Sequence, residues 1–192
     1  HSETTLRLRP FLAFRNKHEL SKANMNANVR SYPVVNGVKS RLYDGFPWLH
    51  MQLSKSDAKF IPAPDWYYDF EYQKEIERGY EGYEDLLTTG YFEMTIKKGE
   101  SIIFSASVDE LPSGEAIVEA YETSVARRTH KVDFDSCLHH SARQFIIRRP
   151  GNRTEVVAGY PWFGSFLEDT FMALPGLTLT QNHKEDCLEA LD

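Results

Sequence analysis

The residues best equipped for chemistry lie in one stretch, 158–176, where Tyr160, Trp162 and Phe163 crowd between Gly159, Pro161 and Gly164 and the pair Asp169-Thr170 follows. Glycine and proline fix an irregular backbone. Flat aromatic faces held that way stack on the apolar face of a pyranose, and a carboxylate at the rim accepts hydrogen bonds from the ring hydroxyls. Tyr160, Trp162, Phe163 and Asp169 are therefore the candidate residues for binding one hexose. The competing account is structural: Asp169 caps the N-terminus of a helix and the rings fill core. Spacing alone leaves both open.

The elements that must position this stretch can be read around it. Runs 145–149 and 154–158 flank Pro150-Gly-Asn-Arg153, which predicts a hairpin delivering the chain to Tyr160. Residues 170–180 have a helical pattern that Pro175 should kink or restart, and Asn182 with Glu185 reads as a capping box for a last helix. Upstream, Ile117, Ala120, Tyr121, Ser124 and Val125 lie at the spacing of one helix face. Leu138, Ser141, Ala142, Phe145 and Ile146 repeat it after Asp133 or Asp135. Of Cys137, His139 and His140, with His130 nearby, only Cys137 and His140 share a helix face, and no second cluster completes the roughly four ligands of a metal site, so surface histidines and a buried thiol are expected there. No metal and no cofactor is expected.

The first half reads as antiparallel strands. Alternation in 4–14, broken by Pro10, predicts a half-buried strand, and 18–28 reads as a polar, Asn-rich surface excursion. Runs 31–35 and 39–43 flank Asn36-Gly37, a strong hairpin signal, and 48–53 alternates again. Runs 89–94 and 101–107 around Lys97-Lys-Gly-Glu100 predict a second hairpin. Between them, 60–87 is rich in rings and acids, and two readings stand. One is an aromatic connection lying across the sheet with a short charged helical turn. The other makes Trp66, Tyr67 and Tyr68 a glucan-stacking platform or a seam against a neighbouring domain. Acids abound here, but glycosidase chemistry needs two carboxylates at a set separation, which sequence does not supply.

Over 192 residues the net charge is −6, which disfavours nucleic acid and anionic membrane as partners and carries no penalty toward a neutral glucan. Hydrophobic content of 41% and charged content of 26% fit a globular protein. No apolar run approaches the ~20 residues that span a bilayer. Two cysteines far apart give no disulfide framework, so a cytoplasmic location is the default.

The stretch Ala158-Gly-Tyr-Pro-Trp-Phe-Gly164 with Asp169-Thr-Phe-Met-Ala-Leu-Pro-Gly176 resembles the start of the catalytic domain of bacterial and archaeal glycogen debranching enzymes of the amylo-α-1,6-glucosidase type. Arg9-Pro-Phe-Leu-Ala-Phe-Arg15, Tyr43-Asp-Gly-Phe-Pro47, Asp65-Trp-Tyr-Tyr-Asp-Phe-Glu-Tyr72, Glu77-Arg-Gly79 and Glu84-Asp-Leu86 resemble, in order, their N-terminal β-sandwich. The resemblance spans residues 4–180. It implies a mixed β and α chain: a sandwich of the galactose-mutarotase/glucoamylase N-terminal type over 1–110, a helical linker over 111–148, and the hairpin and first helices of a truncated (α/α) barrel over 149–192. It implies glycogen or branched maltodextrin as partner, with hydrolysis of α-1,6-linked glucose by the parent. Asp169 inherits a role in holding hydroxyls of the terminal glucose. The catalytic acids come from later barrel helices, so none is assigned here and the chain alone is expected to be inactive. One departure stands out: Glu168 occupies the place of an arginine, replacing a five-donor cation by an acceptor-only anion. The implied outcome is altered affinity or a rearranged site. Competing classes are a non-catalytic carbohydrate-binding module, with 66–72 as its platform, and a related disaccharide phosphorylase.

Overall fold

The computed structural model describes residues 3–128, 131–149, 153–159 and 163–191. It is mixed and strand-rich, with every strand pairing antiparallel, and it divides into two units, 1–126 and 127–192. The expected linker, 111–148, is thereby shared between them.

The first unit holds two sheets. Strands β1 (Glu3–Leu8), β5 (Lys59–Glu71) and β6 (Tyr83–Lys97) form one in the order β1-β6-β5. Strands β2 (Ser31–Val34), β3 (Gly37–Ser40), β4 (Leu49–Leu53) and β7 (Phe104–Ser107) form the other in sequence order. Period-2 alternation turns Val38, Met51 and Leu53 of one sheet and Leu87, Phe92 and Met94 of the other into one shared core, joined by Leu12 and Leu42. Burying such apolar chains is the main favourable term holding the unit together.

Asn36 takes a left-handed φ of 51° and Val34 pairs with Gly37, so the hairpin turns on Val35-Asn36 and Gly37 opens β3. Gly37 has a second reason to be glycine: a Cβ there would lie 2.1 Å from the Met51 carbonyl oxygen on β4. Gly37→Ala is expected to cost about 1–3 kcal/mol as β3 and β4 are forced apart, measured as a shift in urea midpoint at unchanged m-value.

The ring-rich segment 60–71 is no loose connection but the 13-residue strand β5, whose register shifts at Pro62/Asp65 and Tyr67/Phe70; the short helical turn follows it as α1 (Gln73–Glu77). The turn at 97–100 exists, closed by Glu100 N–H donating to the Lys97 carbonyl, yet β6 and β7 belong to different sheets, so it is a crossover and not a hairpin. Helix α2 (Gly114–Ala126) starts after Ser113, whose hydroxyl accepts from Ala116 N–H, but of the expected face only Ile117 is buried while Tyr121 and Val125 are exposed.

The second unit contains α3 (Phe134–Arg143), the hairpin β8 (Ile146–Arg149) and β9 (Arg153–Val156), then α4 (Leu167–Leu177), a 3-10 turn over Leu179–Gln181, and α5 (Lys184–Glu189). Asp133 and Ser136 cap α3 reciprocally. Residues 150–152 of the β8–β9 turn lie outside the described residues, as does His130. Val156, Leu174 and Cys187 form this unit's small core. Cys137, expected as a buried thiol, is exposed; the buried thiol is Cys187. The capping box at Asn182 is absent. Asn182 takes φ 60° and ends the 3-10 turn, and His183 precedes α5 without a side-chain cap. Pro175 sits in the last turn of α4, where its missing N–H and the helix end at Leu177 coincide. Among the described residues no helix is long and apolar enough to cross a membrane.

Candidate functional site

The stretch 158–176 is built on β9 and α4. Val156, buried in the hairpin, accepts at its carbonyl from the Ser165 hydroxyl (2.6 Å), tying the loop's far side to the strand. Ala158 N–H donates to the Gly164 carbonyl (2.9 Å) and Phe163 N–H to the Gly159 carbonyl (2.8 Å), so the loop closes on itself before the helix begins. Gly159 permits this closure, because a Cβ there would stand 2.6 Å from the Phe163 ring. Tyr160 and Trp162 lie outside the described residues. Phe163 is 58% exposed, which does not suit core filling.

Phe166 is the residue that precedes α4, and it makes no side-chain cap; Asp169 stands inside the first turn. The N-cap account of Asp169 therefore fails. Its carboxylate is exposed and makes no hydrogen bond or ion pair among the described residues, as does that of Glu168 beside it. Thr170, by contrast, is structural: it is buried, and its hydroxyl donates to the Phe166 carbonyl (2.9 Å). The helix thus anchors itself through Thr170 and Leu174 and leaves Asp169 unengaged, beside a helix N-terminus whose dipole favours its charge. No hydrogen bond or ring contact joins Phe163 to Asp169.

The three residues of the proposed platform do not share one face. Trp66 is half-buried against the sandwich core. Tyr67 points the other way, with its ring edge-on to Phe11 at 4.8 Å and its hydroxyl accepting from Arg9. Tyr68 alone is open, at 65% exposure. Alternation along β5 separates neighbours in this way, and the register shift after Tyr67 adds to it.

Sequence reasoning missed a charged cluster beneath this strand. Glu84 is wholly buried on β6, where its carboxylate accepts from Arg15 Nε (2.5 Å) and Nη2 (3.0 Å), the Tyr72 hydroxyl (2.7 Å) and Ser21 N–H (3.0 Å). Burial pushes its pKa up, but the hydrogen bonds from Arg15, Tyr72 and Ser21 outweigh it and hold the carboxyl at about 2. Next to it Asp85 accepts from Ala23 N–H and Asp69 N–H, both at 3.0 Å, and these two backbone donors lower its pKa. An ionised, fully saturated carboxylate has no proton to give, so Glu84 is no general acid at neutral pH. It ties Arg15 and Ser21 to β6, and Asp85 holds Ala23 and the strained Asp69 (φ 58°) of β5. Arg15 and Glu84 stand 69 residues apart, and no local pattern links them.

The family model for the glycogen debranching enzyme N terminal matches residues 1–103, more than half of the chain and the whole of both sheets except the last strand. The chain belongs to the glycogen debranching enzyme family. The family model for amylo-alpha-1,6-glucosidase matches residues 140–191, so the β8–β9 hairpin, the loop and α4 of this debranching family member fall in the glucosidase region. Neither curated proteins nor solved structures return a match. The two matched regions flank α2 and the start of α3.

Proposed function

We propose that this chain is the sandwich, the helical connection and the opening elements of the catalytic domain of a glycogen debranching enzyme that hydrolyses the single α-1,6-linked glucose left at a branch point. On this reading the sandwich is of the galactose-mutarotase type and α4 is an early helix of an (α/α) barrel. The loop 158–164 and Asp169 line the position of the terminal glucose, with Tyr160, Trp162 and Phe163 around its apolar face. The observation that carries this is the free carboxylate: Asp169 lies within the glucosidase match, on a helix held by other residues, and answers to no partner among those described.

Hydrolysis needs one carboxylic acid to protonate the leaving oxygen and a second carboxylate to direct water or to attack. Asp169 and Glu168 are consecutive and both open to solvent, so neither has the separation or environment of that pair. The role of Asp169 is to bind; the catalytic pair is supplied by other helices of the glucosidase domain. Glycogen and its limit dextrins are the substrates, free glucose the product, and the cytoplasm the site of action. The 192-residue chain is therefore expected to release no glucose from a phosphorylase limit dextrin in a coupled glucose assay, whereas the protein carrying the whole glucosidase domain does. Release by the short chain would place catalytic acids within it and overturn the division of roles.

A further inference from the structure

Three of the segments that carry the family resemblance, 9–15, 65–72 and 84–86, converge on the three-stranded sheet. On the inner side Leu12 bridges to Leu87, and Arg15 binds Glu84 and thereby Tyr72. On the outer side they leave Arg9. Its guanidinium carbon lies 5.5 Å from the centre of the Tyr67 ring and 5.4 Å from that of Tyr91, and it donates to the Tyr67 hydroxyl. Phe11, 41% exposed, packs edge-on against Tyr67 at 4.8 Å. Arg7, next along the same row, is paired with Glu93; Arg9 has no carboxylate partner among the described residues.

This arrangement has three properties of a binding subsite. The guanidinium lies against the Tyr67 and Tyr91 rings, the latter shared with Arg7, which narrows its rotamers before any ligand arrives. Several of its five N–H donors remain uncommitted, in a planar fork suited to two adjacent hydroxyls. An open phenyl ring lies beside it, suited to the apolar face of a hexose. We propose that Arg9, with Phe11 and Tyr67, forms a surface subsite for an α-glucan chain. The identity of the ligand rests on the debranching reading above; the existence of a preorganised subsite rests on the geometry.

Native electrophoresis of the 192-residue chain through gels containing glycogen tests it. Glycogen is expected to retard the chain. Arg9→Ala and Phe11→Ala should each weaken retardation by about tenfold in apparent Kd, the scale of one lost charged hydrogen bond or stacking contact. Arg9→Lys, which keeps the charge and loses the fork, should weaken it equally. Lys98→Ala, at an exposed turn, should not, and heparin should not compete. Thermal melting confirms that these surface variants remain folded. The proposal is overturned if the wild-type chain runs unretarded or if Arg9→Ala runs as wild type. It is equally overturned if Arg9→Lys retains full binding while heparin competes, which is the signature of a plain anion site. Loss of retardation in Asp169→Asn with none in Arg9→Ala would leave the terminal-glucose site standing and remove the surface subsite alone.

Discussion

Asp169→Asn, in the protein carrying the whole glucosidase domain, is expected to lower kcat/KM for glucose release from a limit dextrin by roughly 30- to 160-fold. The magnitude follows from exchanging a charged acceptor for a neutral amide against the hydroxyls of the terminal glucose, about 2–3 kcal/mol at tenfold per ~1.4 kcal/mol. The structure makes the prediction sharp because Asp169 has no second duty among the described residues. It caps nothing, pairs with nothing, and α4 is secured by Thr170 and Leu174. The stability cost of the change is therefore limited to its share of the helix dipole, about 0.3–1 kcal/mol. A stable variant with unchanged kcat/KM would remove Asp169 from the site. Glu168→Arg restores the side chain that the resemblance places there, and a tighter KM in that variant would locate the cost of the departure.

The second large effect is on stability. Glu84→Ala is expected to destabilise the sandwich unit by about 3–5 kcal/mol, because it leaves Arg15 and the Tyr72 hydroxyl facing a buried void without their acceptor. Urea unfolding at pH 7 reads this directly, and a loss under 1 kcal/mol would contradict the keystone role. The same carboxylate sets an acid limit. Its folded pKa of about 2 lies below the ordinary glutamate value near 4.5, so its contribution is complete above the unfolded pKa and is lost as pH falls from about 4.5 toward 2. A contribution on the order of 3 kcal/mol is at stake over that window, given about 1.36 kcal/mol per unit. Asp85, also lowered, adds in the same direction. The Glu84→Ala variant should show a shallower acid decline than the wild type.

What could be read from the sequence was what local chemistry decides. The hairpins at Asn36 and of β8 and β9 follow from residues adjacent in the chain, although the first turns on Val35-Asn36, one residue before the Asn36-Gly37 pair that signals it; of Asp133 and Asp135, either of which could open α3, it is Asp133 that caps it. Strand β5 was hidden because its two register shifts reset the alternation and Pro62 and Pro64 mimic a linker. The crossover between β6 and β7 was hidden because a tight turn does not say which sheet the next strand joins. At Asn182 the spacing to Glu185 was right for a capping box, but the left-handed backbone ending the 3-10 turn prevailed.

The candidate site was legible in part for the same reason. A helix after the loop follows from the apolar spacing of 170–180, yet it begins three residues earlier, at Leu167, and the closure between Gly159 and Phe163 rests on the missing Cβ of Gly159. Whether Asp169 capped that helix was undecidable until Phe166 was seen to precede it. Arg9 between Tyr67 and Tyr91, and Arg15 on Glu84, join residues 58 to 82 positions apart in sequence, and only the folded sheets bring them together.

The most direct test of the account is the product formed from a phosphorylase limit dextrin by the protein carrying the whole glucosidase domain, followed with and without inorganic phosphate. Free glucose, released from α-1,6 branch points at a rate indifferent to phosphate, is the predicted result. Glucose 1-phosphate appearing only when phosphate is present, or linear α-1,4 chains cleaved while branch-point glucose stays attached, would contradict it.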